Sequence, residues 1–281
     1  MNTEQSFLKQ LLIVIVVFEK NPLDAIALQS LTSIEDEAML MIYDNSPFPS
    51  DVKNKNIIYK HDPSNPGVSK AYNVAGVFAR KHNKKWLMLV DQDTQFPDSI
   101  FEKYQLALNV FPEIRIFVPF LMDDIGLVSP FTFHRGKGKR IGSIQAEAHE
   151  LSKFRFANSG LLISADAFEL AGGYDEKFPL DYSDIVFEDR LAKVHTHFVL
   201  IDSLCRHRFS GSEKIGAPVL LKRFHQFCQA VILYKNTSFT DVPLYWVLLP
   251  RAIKLSLQKK NIMFIVEAIR SMRNDVHFSH L

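Results

Sequence analysis

Two carboxylates, Asp91 and Asp93, stand two positions apart directly after the apolar run Trp86 to Val90, in a stretch that closes at Pro97. The run reads as a strand buried on both faces, which in an alternating α/β chain is a central parallel strand. Continued in an extended backbone, the two carboxylates project to the same side at the carboxyl edge of the sheet, where open α/β folds bind ligands. So placed, they repel unless a cation lies between them. Oxygen ligands select a hard divalent ion, Mg²⁺ or Mn²⁺, of the kind that arrives with a diphosphate. A plainer reading makes Asp91 a turn residue and Asp93 or Thr94 the N-cap of a helix beginning at Pro97. The spacing alone leaves both open.

A second acidic group lies downstream, where Asp175, Glu176, Asp181 and Asp184 fall within ten residues, more than a turn needs. The elements that must position these groups can be read from periodicity. Leu11 to Phe18 is rich in β-branched residues and stops at Glu19-Lys20-Asn21-Pro22, a first buried strand and a turn. Pro22 opens a helix with Leu23, Ile26, Ala27 and Leu31 on one face. Ala38 to Tyr43 is a second strand ending at Asp44-Asn45-Ser46, and Ile57 to Lys60 a short third. After Asn65-Pro66-Gly67, helical spacing recurs at Val68, Ala71, Tyr72, Ala75 and Phe78. The free N–H groups and positive dipole end of that helix favour an anion, and Gly67 lets backbone approach a ligand closely. Asn65 serves equally as an ordinary N-cap.

Pro97 to Val110 reads as a helix and Ile114 to Pro119 as a strand. Strand and helix alternating at this pace predict a mixed, mostly parallel sheet wrapped by helices. Neither a dinucleotide glycine fingerprint nor a P-loop is present, which counts against NAD enzymes and NTPases. Residues 121 to 153 show no periodicity, and their basic run His134 to Arg140 reads as a solvated loop, or more sharply as a lid or phosphate contact. Phe156 to Ser164 is a strand opening with the small residues Asn158, Ser159 and Gly160; a helix from Ala165 to Ala171 ends at Gly172-Gly173.

The order of these pieces resembles the family 2 glycosyltransferases of GT-A fold. Asp91-Gln-Asp93 after an apolar strand, Asn65-Pro-Gly-Val68 upstream and Gly172-Gly-Tyr-Asp-Glu176 downstream carry the likeness, over about residues 10 to 212. Within the family the chain is similar to the branch that includes bacterial rhamnosyltransferases, whose metal motif is Asp-Gln-Asp-Ser. The resemblance implies a metal-dependent inverting enzyme that uses a nucleoside-diphosphate sugar, dTDP-rhamnose among the candidates, to extend a glycan or polyprenyl-linked acceptor of a bacterial surface polysaccharide. It implies a divalent ion, Mn²⁺ or Mg²⁺, on Asp91 and Asp93, completed by His207, and contacts to the donor from Asp44, Asn65, Gly67, Asp91 and Arg190. The base aligns with Asp184, and Asp181 is the second choice. Ser183 and Val186 depart from the family pattern, where acids are usual. The plainer readings are an Asx turn for Asp44 and, for Arg190, a surface salt bridge with Glu188 or Asp189. His195 and His197 read as structural.

With 281 residues, 47% hydrophobic and a net charge of +2, the chain can bury a large α/β core, and nothing global argues for nucleic acid. Cys205 and Cys228 alone provide no disulfide framework and fit a reducing compartment. No apolar run reaches the ~20 residues of a membrane span and no signal-peptide pattern appears, so a cytoplasmic enzyme is expected. The catalytic domain is placed at 1–212, with a nucleotide-sugar half to about 119 and an acceptor half from 120. Residues 213–281 read as a helical extension, with amphipathic segments at Leu220 to Val231, Leu244 to Gln258 and Ile262 to Met272. Packing on the catalytic domain explains their apolar faces; an in-plane contact with the inner face of a membrane is the alternative. Two rival functions remain: a sugar nucleotidyltransferase, which should carry a glycine-rich phosphate loop that Glu19-Lys20-Asn21-Pro22 does not supply, and a non-catalytic carbohydrate-binding protein of the same fold.

Overall fold

The computed structural model describes residues 7–31, 37–207, 216–238 and 241–278. They fall into two units, the described residues within 1–132 and 140–209, and those within 133–139 and 210–281.

The first unit is built on a mixed sheet. Its spine is β1 (Leu11–Val17), β2 (Met39–Asp44), β3 (Ile57–His61) and β4 (Trp86–Asp91), ordered β3-β2-β1-β4 and all parallel. All seven residues of β1 are buried, as its β-branched sequence demands. Alternate residues serve opposite faces, Leu11, Ile13, Ile15 and Val17 in one core and Leu12, Val14 and Val16 in the other. At about 1.5–3 kcal/mol for each large side chain removed from water, this strand is an anchor for both layers.

Further along the chain come β5 (Thr94–Gln95), β6 (Ile116–Asp123), β7 (Gly126–Ser129), β8 (Phe131–His134), β9 (Lys137–Arg140), β10 (Ala148–Glu150), β11 (Leu161–Ser164) and β12 (His197–His207). Beyond β4 the sheet runs β11-β6-β12-β10; β11 is antiparallel to both neighbours, β12 is parallel to β6, and β10 is antiparallel to β12. Two short strands complete it, β5 on β12 and β7 on β6.

Helices cover both faces. The short α1 (Ile26–Ser30) and α3 (Ile100–Val110) bury Ala27, Leu28, Ile100, Phe101 and Tyr104 in the first core. In the second, α2 (Val68–Lys81), α4 (Ala165–Leu170) and α5 (Ser183–Leu191) bury Ala71, Tyr72, Phe168 and Phe187. The mixed, mostly parallel sheet flanked by helices is the architecture the sequence predicts.

Several local expectations change. The helix expected from Pro22 is a 3₁₀ turn, Pro22–Asp24, closed by extended Ala25 before α1; Asn21 accepts from the Leu23 N–H, and Leu23 faces solvent. The helix expected from Pro97 begins at Ile100. In Phe156 to Ser164 only the last four residues are strand. The aperiodic 121–153 is largely short strands, and its basic run forms the β8–β9 hairpin rather than a loop. Periodicity is silent here because each strand has at most four residues outside β6. Arg140 makes a two-pronged ion pair with Asp123 (2.5 and 2.7 Å) and holds that carboxyl well below its usual range.

The second unit contains α6 (Ala217–Thr237), α7 (Leu244–Lys259) and α8 (Met263–Phe278), matching the three expected amphipathic helices. They pack on one another through Phe224, Val231, Leu248, Ala252, Phe264 and Ala268. The expected boundary near 212 lies outside the described residues. No described helix is long and apolar enough to cross a membrane.

Candidate active site

The parallel register places Asp44, His61 and Asp91 along one edge, because Asp44 pairs with Val17 and His61, and Asp91 with Val16. This is the carboxyl edge of the sheet. Asp91 accepts from the Tyr72 hydroxyl of α2 (2.8 Å), and its backbone N–H donates to Ser159 Oγ (3.0 Å).

Asp93 does not continue the strand. Gln92 and Asp93 form a turn, after which β5 reverses to pair with the end of β12. The two carboxylates therefore do not share one face of an extended strand; the turn keeps them neighbours. Gln92 holds the turn in place, accepting the Phe18 N–H (3.0 Å) and donating to the Phe18 carbonyl (3.3 Å) at the end of β1. Lys20 Nζ lies 3.8 Å from Asp93 Oδ1.

The β5–β12 pairing sets Thr94 opposite His207. Thr94, fully buried, receives a hydrogen bond from Ser159 Oγ (2.7 Å) and meets His207 Nδ1 at 2.8 Å. Burial raises the Asp91 carboxyl above its ordinary value and the Asp93 charge adds to this, while His207 and the Tyr72 hydroxyl oppose them. Asp91, Asp93 and His207 are thus one electrostatic group. The Gly211 context of His207 lies outside the described residues.

Asp184 stands in the first turn of α5, after Tyr182 in the left-handed conformation (φ 66°). Its Oδ1 accepts the Ile185 N–H (2.9 Å). Its pKa is pushed up to about 6, mainly by burial, with the negative charges of Asp91 and Asp181 adding to it. Between Asp91 and Asp184 run aromatic side chains: the Tyr72 and Tyr174 rings are 5.2 Å apart, and Tyr174 stacks on Phe187 at 4.1 Å. Tyr174 donates to Asn158 Oδ1 (2.6 Å).

Sequence reasoning did not single out Glu188, one turn beyond Asp184. It is 1% exposed; Oε1 accepts the Phe156 N–H (3.1 Å), and Oε2 lies 3.7 Å from Arg155 Nε. Burial, then the Asp184 charge, pushes its pKa well above the ordinary value. The i, i+4 spacing from Asp184 was the available signal. Arg190 consequently pairs with neither Glu188 nor Asp189: it donates to the Gly173 carbonyl (3.0 Å) and pairs with Asp175 (2.8 Å), while Asp189 pairs with Arg155 (2.7 Å).

The remaining candidates hold loops. Asp44 is fully buried and makes the Asx turn, accepting the Ser46 N–H (2.9 Å) and the Tyr59 hydroxyl (2.7 Å). Asn65 is exposed with φ 48°. Gly67 (φ 88°) does permit a close approach, but to the chain itself: a Cβ there would lie 2.1 Å from the Pro179 carbonyl oxygen, which accepts the Val68 N–H (2.7 Å). The start of α2 is thus partly satisfied by the acidic loop, and Asn73 clamps the same loop through both backbone groups of Tyr174 (2.8 and 3.0 Å). Asp181 stands in this loop, near enough for its charge to raise Asp184. A separate cleft bordered by Arg115, His195 and His197 lies at the amino ends of β6 and β12, on the opposite edge of the sheet.

Among the described residues no three His, Cys, Asp or Glu side chains converge into a ready-made metal cage. The Asp91 carboxyl has the Asp93 charge and the His207 ring within electrostatic reach, so these are the residues that could take part in holding an ion that brings its other ligands with it.

No family model and no curated protein matches the sequence. Among solved structures the chain is similar to S. aureus TarS, at 10% identity and TM-score 0.50, over 82% of this chain and 40% of that one. It is also similar to residues 1-349 of S. aureus TarS in complex with UDP-GlcNAc, at 11% identity and TM-score 0.53, over 95% of this chain and 80% of that one. The chain thus aligns to less than half the length of the longer TarS structure. The likeness is one of fold, a GT-A-like glycosyltransferase fold.

Proposed function

We propose that this protein is an inverting glycosyltransferase that moves a sugar from a nucleoside diphosphate to a hydroxyl of a glycan or lipid-linked acceptor. One observation supports the reading: at the carboxyl edge of a glycosyltransferase-like sheet the Asp91 carboxyl feels both Asp93 and His207, and the separate carboxyl Asp184 lies within electrostatic reach of Asp91. Asp91, Asp93 and His207 are the residues that would hold a divalent ion, and such an ion would neutralise charge gathering on the departing diphosphate. Thr94 accepts from His207 Nδ1 when that nitrogen carries the proton, which fixes the tautomer and orientation of the ring. Asp184, with a pKa of about 6, is ionised at neutral pH yet basic enough to take the acceptor hydroxyl's proton. Attack opposite the leaving diphosphate inverts the anomeric centre.

Asp44, Asn65, Gly67 and Arg190 act in this scheme through the loops they shape beside the donor. Asp181 supports Asp184 by raising its proton affinity. A UDP-sugar and dTDP-rhamnose are the donors to compare, the first because a fold neighbour is bound to UDP-GlcNAc, the second from motif resemblance.

The test is thermal shift with each nucleotide sugar, with and without Mn²⁺, followed by a transfer or donor-hydrolysis assay. Asp93→Ala should lose the Mn²⁺-dependent stabilisation, and Asp184→Ala should keep donor binding but lose turnover. Binding without any hydrolysis in the native protein would favour a carbohydrate-binding role; wild-type turnover in Asp184→Ala would remove the assigned base.

A further inference from the structure

We infer that α7 and α8 form a surface that lies in the plane of an anionic lipid bilayer. The helices are apolar on two faces. Val247, Leu248, Ala252 and Leu255 of α7, with Phe264 and Ala268 of α8, are buried in the second unit. On the outside, Trp246 (59% exposed), Pro250, Ile253 (47%) and Leu257 (75%) recur every three or four residues, a single stripe along α7. The neighbouring α8 carries exposed apolar residues of its own, Val266 and Ile269, after exposed Ile262 just ahead of it. A helix covering a globular core needs only one apolar face, and contiguous exposed apolar stripes mark a surface made to be covered.

Charge identifies the cover. The described residues of this unit hold twelve lysines and arginines against three acids, while the whole chain is only +2. Each acid is engaged internally: Asp241 by Arg135 (2.6 Å), Glu267 by His225 (2.6 Å) and Asp275 by Lys235. Lys254, Lys260, Arg270 and Arg273 are exposed beside the apolar stripe, and Lys137 of the basic hairpin lies 5.9 Å from the Trp246 ring. An apolar stripe flanked by unopposed cations, with an indole among them, suits the boundary between acidic headgroups and acyl chains. No described helix can span the bilayer, so the contact is in-plane. None of these residues belongs to the candidate active site.

The test is flotation of the full-length protein with phosphatidylcholine vesicles, plain or with about 30% phosphatidylglycerol. The native protein should float with the anionic vesicles, with weaker binding at high salt and a blue shift from Trp246, Trp86 being the only other tryptophan. Ile253→Asp with Leu257→Asp should cut partitioning by about tenfold or more. Lys254→Glu with Arg270→Glu should weaken binding and flatten its salt dependence. Both pairs lie on exposed surface and should leave melting and sugar transfer unchanged. A native protein that stays in solution with anionic vesicles at low salt would overturn the inference. So would a concentration-dependent dimer abolished by the aspartate pair, without vesicle binding; that result would assign the stripe to a second copy.

Discussion

Asp184→Asn should make the protein more stable and less active at once. The structure holds the Asp184 carboxyl at about 6 against an ordinary 3.8, chiefly because it is desolvated beside other acids. That difference corresponds to ~3 kcal/mol of preference for the protonated form. The folded protein binds this proton more tightly than the unfolded chain does. The stabilisation is therefore complete below about pH 4 and is lost as pH rises through about 6.

Asparagine is neutral at every pH and keeps an oxygen for the Ile185 N–H, so it retains what the aspartate loses. The side chain is only half-buried, and water reaching it reduces the expected gain to ~1–2 kcal/mol above pH 6, or a rise in melting temperature of roughly 2–6 °C. Below about pH 5 the gain should shrink. Transfer should fall by at least about a hundredfold, since the amide cannot take a proton. If the proposed function holds, kcat/KM of the native protein should decline about tenfold per pH unit below about pH 6. Urea melts at two pH values beside a transfer assay test all of this. An asparagine variant that is less stable at pH 8, or transfers sugar at the native rate, would refute the reasoning.

Gly67→Ala should destabilise the fold by on the order of 3 kcal/mol, because it adds left-handed strain to a clash with the Pro179 carbonyl; urea unfolding measures this, and a neutral result would deny the contact. Thr94→Val should lower Mn²⁺ affinity by roughly 10–100-fold, read by titration of the ion without substrate, with Thr94→Ser restoring it, since only a hydroxyl bridges Ser159 and His207.

Local sequence sufficed for what depends on neighbours in the chain. The β-branched run at Leu11 and the helical spacing from Val68 dictate strand and helix because each side chain's face is set within a few residues. The strand that ends in acid at Asp91, and the acids around Asp184, were legible for the same reason. The short strands between 121 and 153 were not, since four residues carry too little period.

What joins the pieces was decided only by tertiary structure. Gln92 reads as a spacer between two acids until it meets Phe18, 74 positions away; Asn73 finds Tyr174 across 101, and Thr94 finds His207 across 113. Gly67 looks like a ligand's doorway in the sequence, but Pro179 fills it. Glu188 could have pointed outward, but the packing of α5 buried it against Arg155 and Phe156. Such partners follow from how strands are ordered in a sheet, which no short stretch encodes, because the free energy that chooses the order comes from burying both faces of the whole sheet together.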